Sequence, residues 1–135
     1  MKERFEEINH TADIAIRVWG TGLAELFQNA AYGMASQLAD VDGVPLETSV
    51  TLELEAADVE LLLVRWLSEL LYLGEERSVV FTGFDMLEVK HTALRAVAHG
   101  GHVHQLDHHI KAVTFSDLDV KQIENGYETT VVFDV

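Results

Sequence analysis

Apolar residues change their period along the chain, and each change marks an element. Ile14, Ile16 and Val18 alternate with Ala15, Arg17 and Trp19, a two-residue period that predicts a strand with one buried face. Residues 5–8 predict a short strand before it, with Asn9-His10-Thr11-Ala12 as the turn between the two. From Leu23 the period becomes helical. Leu23, Leu26, Phe27, Ala30, Ala31, Met34, Ala35 and Leu38 predict an amphipathic helix over 23–39, with Thr21 or Gly22 as N-cap. Asp40-Val41-Asp42-Gly43 ends it. Val50, Leu52 and Leu54 alternate with Thr51, Glu53 and Glu55, a further strand with a solvent face. Asp58 then caps a second helix with the stripe Val59, Leu62, Leu63, Trp66, Leu67, Leu70 and Leu71, and Gly74 is its expected stop. That wide stripe predicts the more buried of the two helices.

The remainder reads as strand over 79–81, 86–89, 93–98, 112–123 and 129–135. Asn125-Gly126 predicts a hairpin with a type I′ turn. One proline, no Ser/Gly linker and no repeat indicate a single domain over 1–135. The expected fold class is α+β, two helices packed against a mostly antiparallel β-sheet.

Charge changes what such a fold is expected to do. Nine Lys and Arg stand against 23 Asp and Glu, a net charge of −14, and residues 18–64 hold no basic side chain but eight acidic ones. Gripping nucleic acid needs clustered Lys and Arg. Strong direct RNA or DNA binding and adhesion to an anionic membrane are therefore not expected. A basic protein partner or a bound cation fits the field better. With 48% hydrophobic residues the acidity does not signal disorder. There is no cysteine, which excludes disulfides, thiolate zinc sites and Cys nucleophiles and is compatible with a cytoplasmic setting. The charged start, Met1 to Glu7, does not read as a signal peptide. The apolar run 59–73 is interrupted by Glu60, Arg65 and Glu69 and falls short of the roughly 20 residues that span a bilayer.

Four groups of residues are candidates for chemistry. His10-Thr11-Ala12-Asp13 puts an imidazole, a hydroxyl and a carboxylate in one turn; alternatively Asp13 simply caps that turn through its own backbone. Asp134 is followed by Val135, and carboxylates with carbonyl oxygens are the ligand set of a hard cation such as Ca²⁺ or Mg²⁺; alternatively the group is merely solvated. His99, His102, His104, His108 and His109 crowd into eleven residues and suit Zn, Cu or Ni, although no spacing of a known zinc motif is met and an exposed polar loop explains them equally. Lys111, the only basic residue between Arg95 and Lys121, either makes a surface ion pair or holds a partner's phosphate or carboxylate. Phosphate-loop, Gly-x-Ser-x-Gly and His-Glu-x-x-His motifs are absent. Ser68 reads as a packing residue, and Trp66, Tyr72 and Phe81 as core.

Four blocks, in order, resemble the archease family. They are His10-Thr11-Ala12-Asp13 with the strand to Gly20 and Leu23-x-x-Leu26-Phe27-x-Asn29-Ala30-Ala31; the run Trp66-Leu67-Ser68-Glu69-Leu70-Leu71-Tyr72-Leu73; Lys111-Ala112-Val113-Thr114-Phe115; and Val132-Phe133-Asp134-Val135. The chain departs from the family pattern at Ser68, where Asn is usual, and at Phe115-Ser116, where an aromatic and a His are usual. The resemblance implies an accessory protein that activates the tRNA-splicing RNA ligase, promoting its guanylylation and multiple turnover. It also implies a divalent cation, calcium in relatives with Mn²⁺ or Mg²⁺ as alternatives, held by Asp13, Asp134 and an oxygen of Val135. Lys111 matches the family's functionally implicated lysine and is expected, with His10, to act on the partner.

Two other readings stand beside the non-enzymatic activator. A metal-dependent hydrolase would use the acidic pair and His10 to position a metal-bound water, but no general base or substrate pocket is evident. A transition-metal-binding or chaperone-like module would use the cluster from His99 to His109.

Overall fold

The structure is a computed structural model and describes residues 4–9, 13–116 and 118–135, with the backbone alone at Asn9. The expected turn at 10–12 lies outside the described residues. Two strands, β1 (Phe5–Asn9) and β2 (Ile14–Gly20), lead into helix α1 (Leu23–Leu38) and a 3₁₀ turn (Val41–Gly43). Strand β3 (Thr48–Glu55) and helix α2 (Val59–Arg77) follow, then β4 (Val79–Val89), β5 (Ala93–His102), β6 (Ala112–Thr114), β7 (Lys121–Ile123) and β8 (Gly126–Asp134). The α+β class is as expected, but the strands form two sheets. One has the order β1-β2-β8-β6 with β7 also on β8, the other β3-β5-β4, and every pairing is antiparallel.

Alternation explains the strands. Ile16 and Val18 of β2 are fully buried while Arg17 between them is exposed. Both helices start where the capping residues fall. Gly22 precedes α1 in extended conformation, and Glu25 accepts a hydrogen bond from the Thr21 N–H at 2.9 Å. Asp58 caps α2 by accepting from the Leu61 N–H at 2.8 Å.

Burial of the helices reverses the expectation. Helix α1 buries 11 of its 16 residues and α2 nine of 19. The reason is that α1 packs against β1, β2 and β8 of one sheet and β4 of the other. Its small residues permit that approach: a Cβ on Gly33 would sit 2.7 Å from Ile16 Cδ1. Helix α2 keeps the broad stripe but exposes Arg65, Tyr72 and its last turn. Tyr72, expected in the core, is 57% exposed, because it lies off that stripe and its hydroxyl donates to the Glu76 carboxylate at 2.8 Å. That hydrogen bond, with the carboxylate's charge, pushes the phenol above its ordinary pKa.

Trp66 joins the layers. Its side chain has no solvent exposure. The indole Nε1 donates to the Phe27 carbonyl of α1 at 3.0 Å, and the ring meets Phe84 of β4 edge-on at 5.9 Å.

Three boundaries also differ from the sequence pattern. Gly74 does not stop α2, which continues to Arg77 and is capped by Ser78 in the left-handed conformation (φ 58°). Gly74 is instead buried where the chain doubles back, since a Cβ there would lie 2.8 Å from the Val79 carbonyl oxygen. Residues 79–89 form one strand whose register shifts between Phe81 and Gly83 and again between Met86 and Glu88; the irregular rungs interrupt the alternation that would have revealed it. Residues 112–123 form two short strands separated by a loop, and the hairpin to β8 pairs Ile123 with Gly126. Its central residues are therefore Glu124 and Asn125, and only Gly126 has positive φ, so the turn is not type I′.

Replacing Trp66 by Ala removes the packing and the hydrogen bond that tie both helices to β4. The expected loss is about 3–5 kcal/mol of stability in urea unfolding. A loss below about 1 kcal/mol would contradict the central place given to the indole.

Candidate functional site

Strand β8 lies between β2 on one edge and β6 on the other, and that position assembles the predicted site. The β2–β8 register runs from Gly20↔Tyr127 to Ile14↔Phe133. One residue beyond the last rung stand Asp13 and Asp134, from opposite ends of the sequence. On the other edge Ala112 pairs with Asp134, and the Lys111 N–H donates to the Asp134 carbonyl oxygen at 2.7 Å. Backbone pairing thus gathers Asp13, Lys111 and Asp134, with Val135 next along the chain, at one end of the five-stranded sheet.

Residues below this end are packed hard. Phe133, Val131 and Ile16 have no solvent exposure, and Ala15 and Val132 on the opposite face are buried as well. Those two faces hold the register, because a one-residue slip would exchange them. Asp134 and Lys111 are exposed, Asp13 is half-buried and Val135 is 37% exposed. Two carboxylates brought to adjacent strand ends repel unless a positive charge joins them. Oxygen donors of this kind suit a hard divalent cation rather than a soft one. Among the described residues no three His, Asp or Glu side chains converge as a metal cluster. The site therefore offers two side-chain carboxylates and whatever oxygens Val135 supplies. His10, the remaining residue assigned to it from the sequence, lies outside the described residues.

The histidine cluster does not come together. Strand β5 ends at His102, so His104, His108 and His109 fall in the following loop. Within the strand, His99 and His102 are three apart and point to opposite faces. His102 Nδ1 lies 3.0 Å from the Ser78 carbonyl oxygen, and His99 uses both ring nitrogens on Ser49 and Asp85. Density in sequence became dispersal in space, which removes the physical basis for a shared transition-metal site among the described residues. His104 and His109 instead line a mostly apolar cavity of about 310 Å³, with Leu38, Leu70 and Val103 in its wall. Among the described residues no helix is long and apolar enough to cross a membrane.

Comparisons with known proteins bear on the family and the fold. The Archease protein family model matches residues 5–135. A protein archease from Methanosarcina acetivorans is 37% identical, with 98% of this chain and 97% of the relative covered. One from Archaeoglobus fulgidus is 36% identical over the whole of both chains. The solution structure of a Methanobacterium thermoautotrophicum protein superposes with a TM-score of 0.82 at 25% identity, covering 99% of this chain and 100% of that one. The crystal structure of an archease, described as a possible chaperone, from Thermotoga maritima gives a TM-score of 0.68 at 20% identity, covering 100% and 98%.

Facing positions on antiparallel strands have Cα atoms about 4.5–5.5 Å apart, inside the range a disulfide bridges. The chain has no cysteine of its own. The double variant Asp13→Cys, Asp134→Cys is therefore expected to form an intrachain disulfide under mild oxidation, read as protection from thiol alkylation. A control pairing Asp13→Cys with Glu128→Cys, six residues further along β8, should stay reduced. Equal cross-linking in both would refute the register at this end.

Proposed function

Because the chain belongs to the archease family, we propose that it is a non-enzymatic activator of the tRNA-splicing RNA ligase, promoting ligase guanylylation and turnover. The observation that supports this reading is the adjacency of Asp13, Asp134 and Lys111, created by the β2–β8–β6 pairing. In this reading Asp13, Asp134 and a Val135 oxygen hold a divalent cation, with Ca²⁺ first and Mn²⁺ or Mg²⁺ as alternatives. Such a cation supplies concentrated positive charge for phosphate oxygens. Lys111, on the neighbouring strand start, orients a phosphate or an acidic group of the partner, and His10 belongs to the same motif as Asp13.

The remaining charge fits docking. A net charge of −14 is suited to a basic, RNA-binding cleft on the ligase, and attraction between such surfaces weakens as salt shortens the screening length. The Thermotoga maritima protein's description as a possible chaperone accords with action on a protein partner. Nothing in this reading requires a substrate pocket at the carboxylates, which separates it from the hydrolase alternative.

Asp13→Asn and Asp134→Asn each remove one carboxylate charge with little change of shape. Both are expected to reduce stimulation of ligase guanylylation at least tenfold, roughly 1.4 kcal/mol of coupling, while circular dichroism stays unchanged. Lys111→Ala should do the same without altering calorimetric Ca²⁺ binding. Full stimulation by all three variants would overturn the assignment of the site. Raising ionic strength should weaken the protein–ligase complex monotonically in a pull-down with purified components.

A further inference from the structure

Three side chains from three strands form a continuous relay on the open face of the three-stranded sheet. Ser49 of β3 and His99 of β5 are register partners, and Asp85 of β4 pairs with Val97, two residues from His99. Ser49 Oγ lies 2.6 Å from His99 Nδ1, and His99 Nε2 lies 2.8 Å from Asp85 Oδ2. This is the connectivity of a nucleophile, a base and an orienting carboxylate, with the two imidazole nitrogens used in the opposite sense from that of the Ser-His-Asp hydrolases.

The chemistry of the donors selects one tautomer. An ionised carboxylate only accepts, so Nε2 must carry the proton that meets Asp85. In a neutral ring Nδ1 is then an acceptor, and the Ser49 hydroxyl donates to it. The lone pair of the base is thereby aimed at the one proton whose removal makes Ser49 a nucleophile. Ser49 is exposed, whereas the His99 side chain is only 29% exposed, so the ring is held while the hydroxyl remains reachable. Beside the ring, Leu46 lies close to Gly83: a Cβ there would make ordinary van der Waals contact with Leu46 Cδ1 at 3.5 Å and His99 Cβ at 3.6 Å. Leu46 and Val97 supply apolar surface on which a short acyl chain can rest.

We propose that Ser49 is an activated nucleophile that accepts the acyl group of reactive esters. Ser49 Oγ bonds to the carbonyl carbon and the bond from that carbon to the leaving oxygen breaks. The Ser49 proton passes to His99 Nδ1 and then to the leaving oxygen, giving O-acyl-Ser49 and a free alcohol. His99 is the base, and Asp85 is a positioning residue that holds the tautomer and steadies the transient imidazolium. This site is separate from Asp13, Lys111 and Asp134 and does not depend on their role.

The test uses the full chain and p-nitrophenyl acetate, with acetylation mapped by peptide mass spectrometry. The absence of cysteine removes competing thiols. Ser49 is expected to acetylate faster than exposed Ser116 in the same molecule, and Ser49→Ala to lose that modification. His99→Gln should slow it roughly 10²-fold, in line with the loss of a general base. Asp85→Asn should slow it, and Asp85→Glu should restore it, a rescue that a merely structural contact would not produce. The proposal is overturned if Ser49 reacts no faster than Ser116, or if His99→Gln reacts at the unsubstituted rate. Each substitution is on the sheet's outer face, and circular dichroism confirms that the variant compared is folded.

Discussion

The pairing of β2 with β8 is the constraint from which the functional geometry follows. It joins residues 14–20 to residues 127–133, so nearly the whole chain is the loop that must close before this contact is made. Loop-closure entropy grows only slowly with length, but non-local pairings of this kind are made late and repay the chain only when complete. Here completion means burial on both faces: Ile16, Val131 and Phe133 toward the helices, Ala15 and Val132 on the other side. Close backbone approach fixes the far end of the ladder, because a Cβ on Gly126 would overlap the Gly20 carbonyl and one on Gly20 would overlap the Leu26 amide. The register is thus held from the start of α1 to the rung beside Asp13 and Asp134.

Around that ladder the helices act as a shared filling between two sheets. Helix α1 serves both, through small side chains such as Ala30, Ala31 and Gly33, and is correspondingly the more buried. Helix α2 brings the large apolar stripe and the indole that bonds to the Phe27 carbonyl. A dense interior of this kind transmits position well: Asp134 is exposed and Asp13 half-buried, while Phe133, one step below Asp134, has no solvent exposure. Accessible polar ends and rigidity immediately beneath are properties of the same strands.

Acidity takes on a different meaning at each level. As composition, it argues against a phosphate-gripping surface and for a basic partner. At the sheet end, two carboxylates become a specific pair because strand pairing makes them neighbours. On the three-stranded sheet, Asp85 meets His99 and defines a proton's position on the ring. Among the described residues two basic side chains sit beside acids, Arg17 with Glu6 at 3.6 Å and Lys90 with Glu88 at 3.6 Å. Such exposed pairs add little stability.

Much of this was legible in the residues alone, and what was not shares a common cause. The period of apolar positions determined both helices, strand β2 and the class of fold, because burial of one face is a local demand on spacing. Asp58 could be read as a cap, and the motif blocks containing Asp13, Lys111 and Asp134 pointed to a family. The end of α2 is not legible in the spacing because Gly74 answers to the Val79 carbonyl rather than to the helix, and β4 reads as two strands because its register shifts break alternation. The hairpin at Asn125 was right in kind but placed one residue late, since close packing of Gly126 on Gly20 decides which residue needs positive φ. Five histidines within eleven residues dispersed, while Ser49 and Asp85, 50 and 14 positions from His99, met it. Sequence spacing determines which residues share a face of one element. Only the pairing of distant strands decides which faces, ends and side chains become neighbours, because that depends on register set by packing across the whole core.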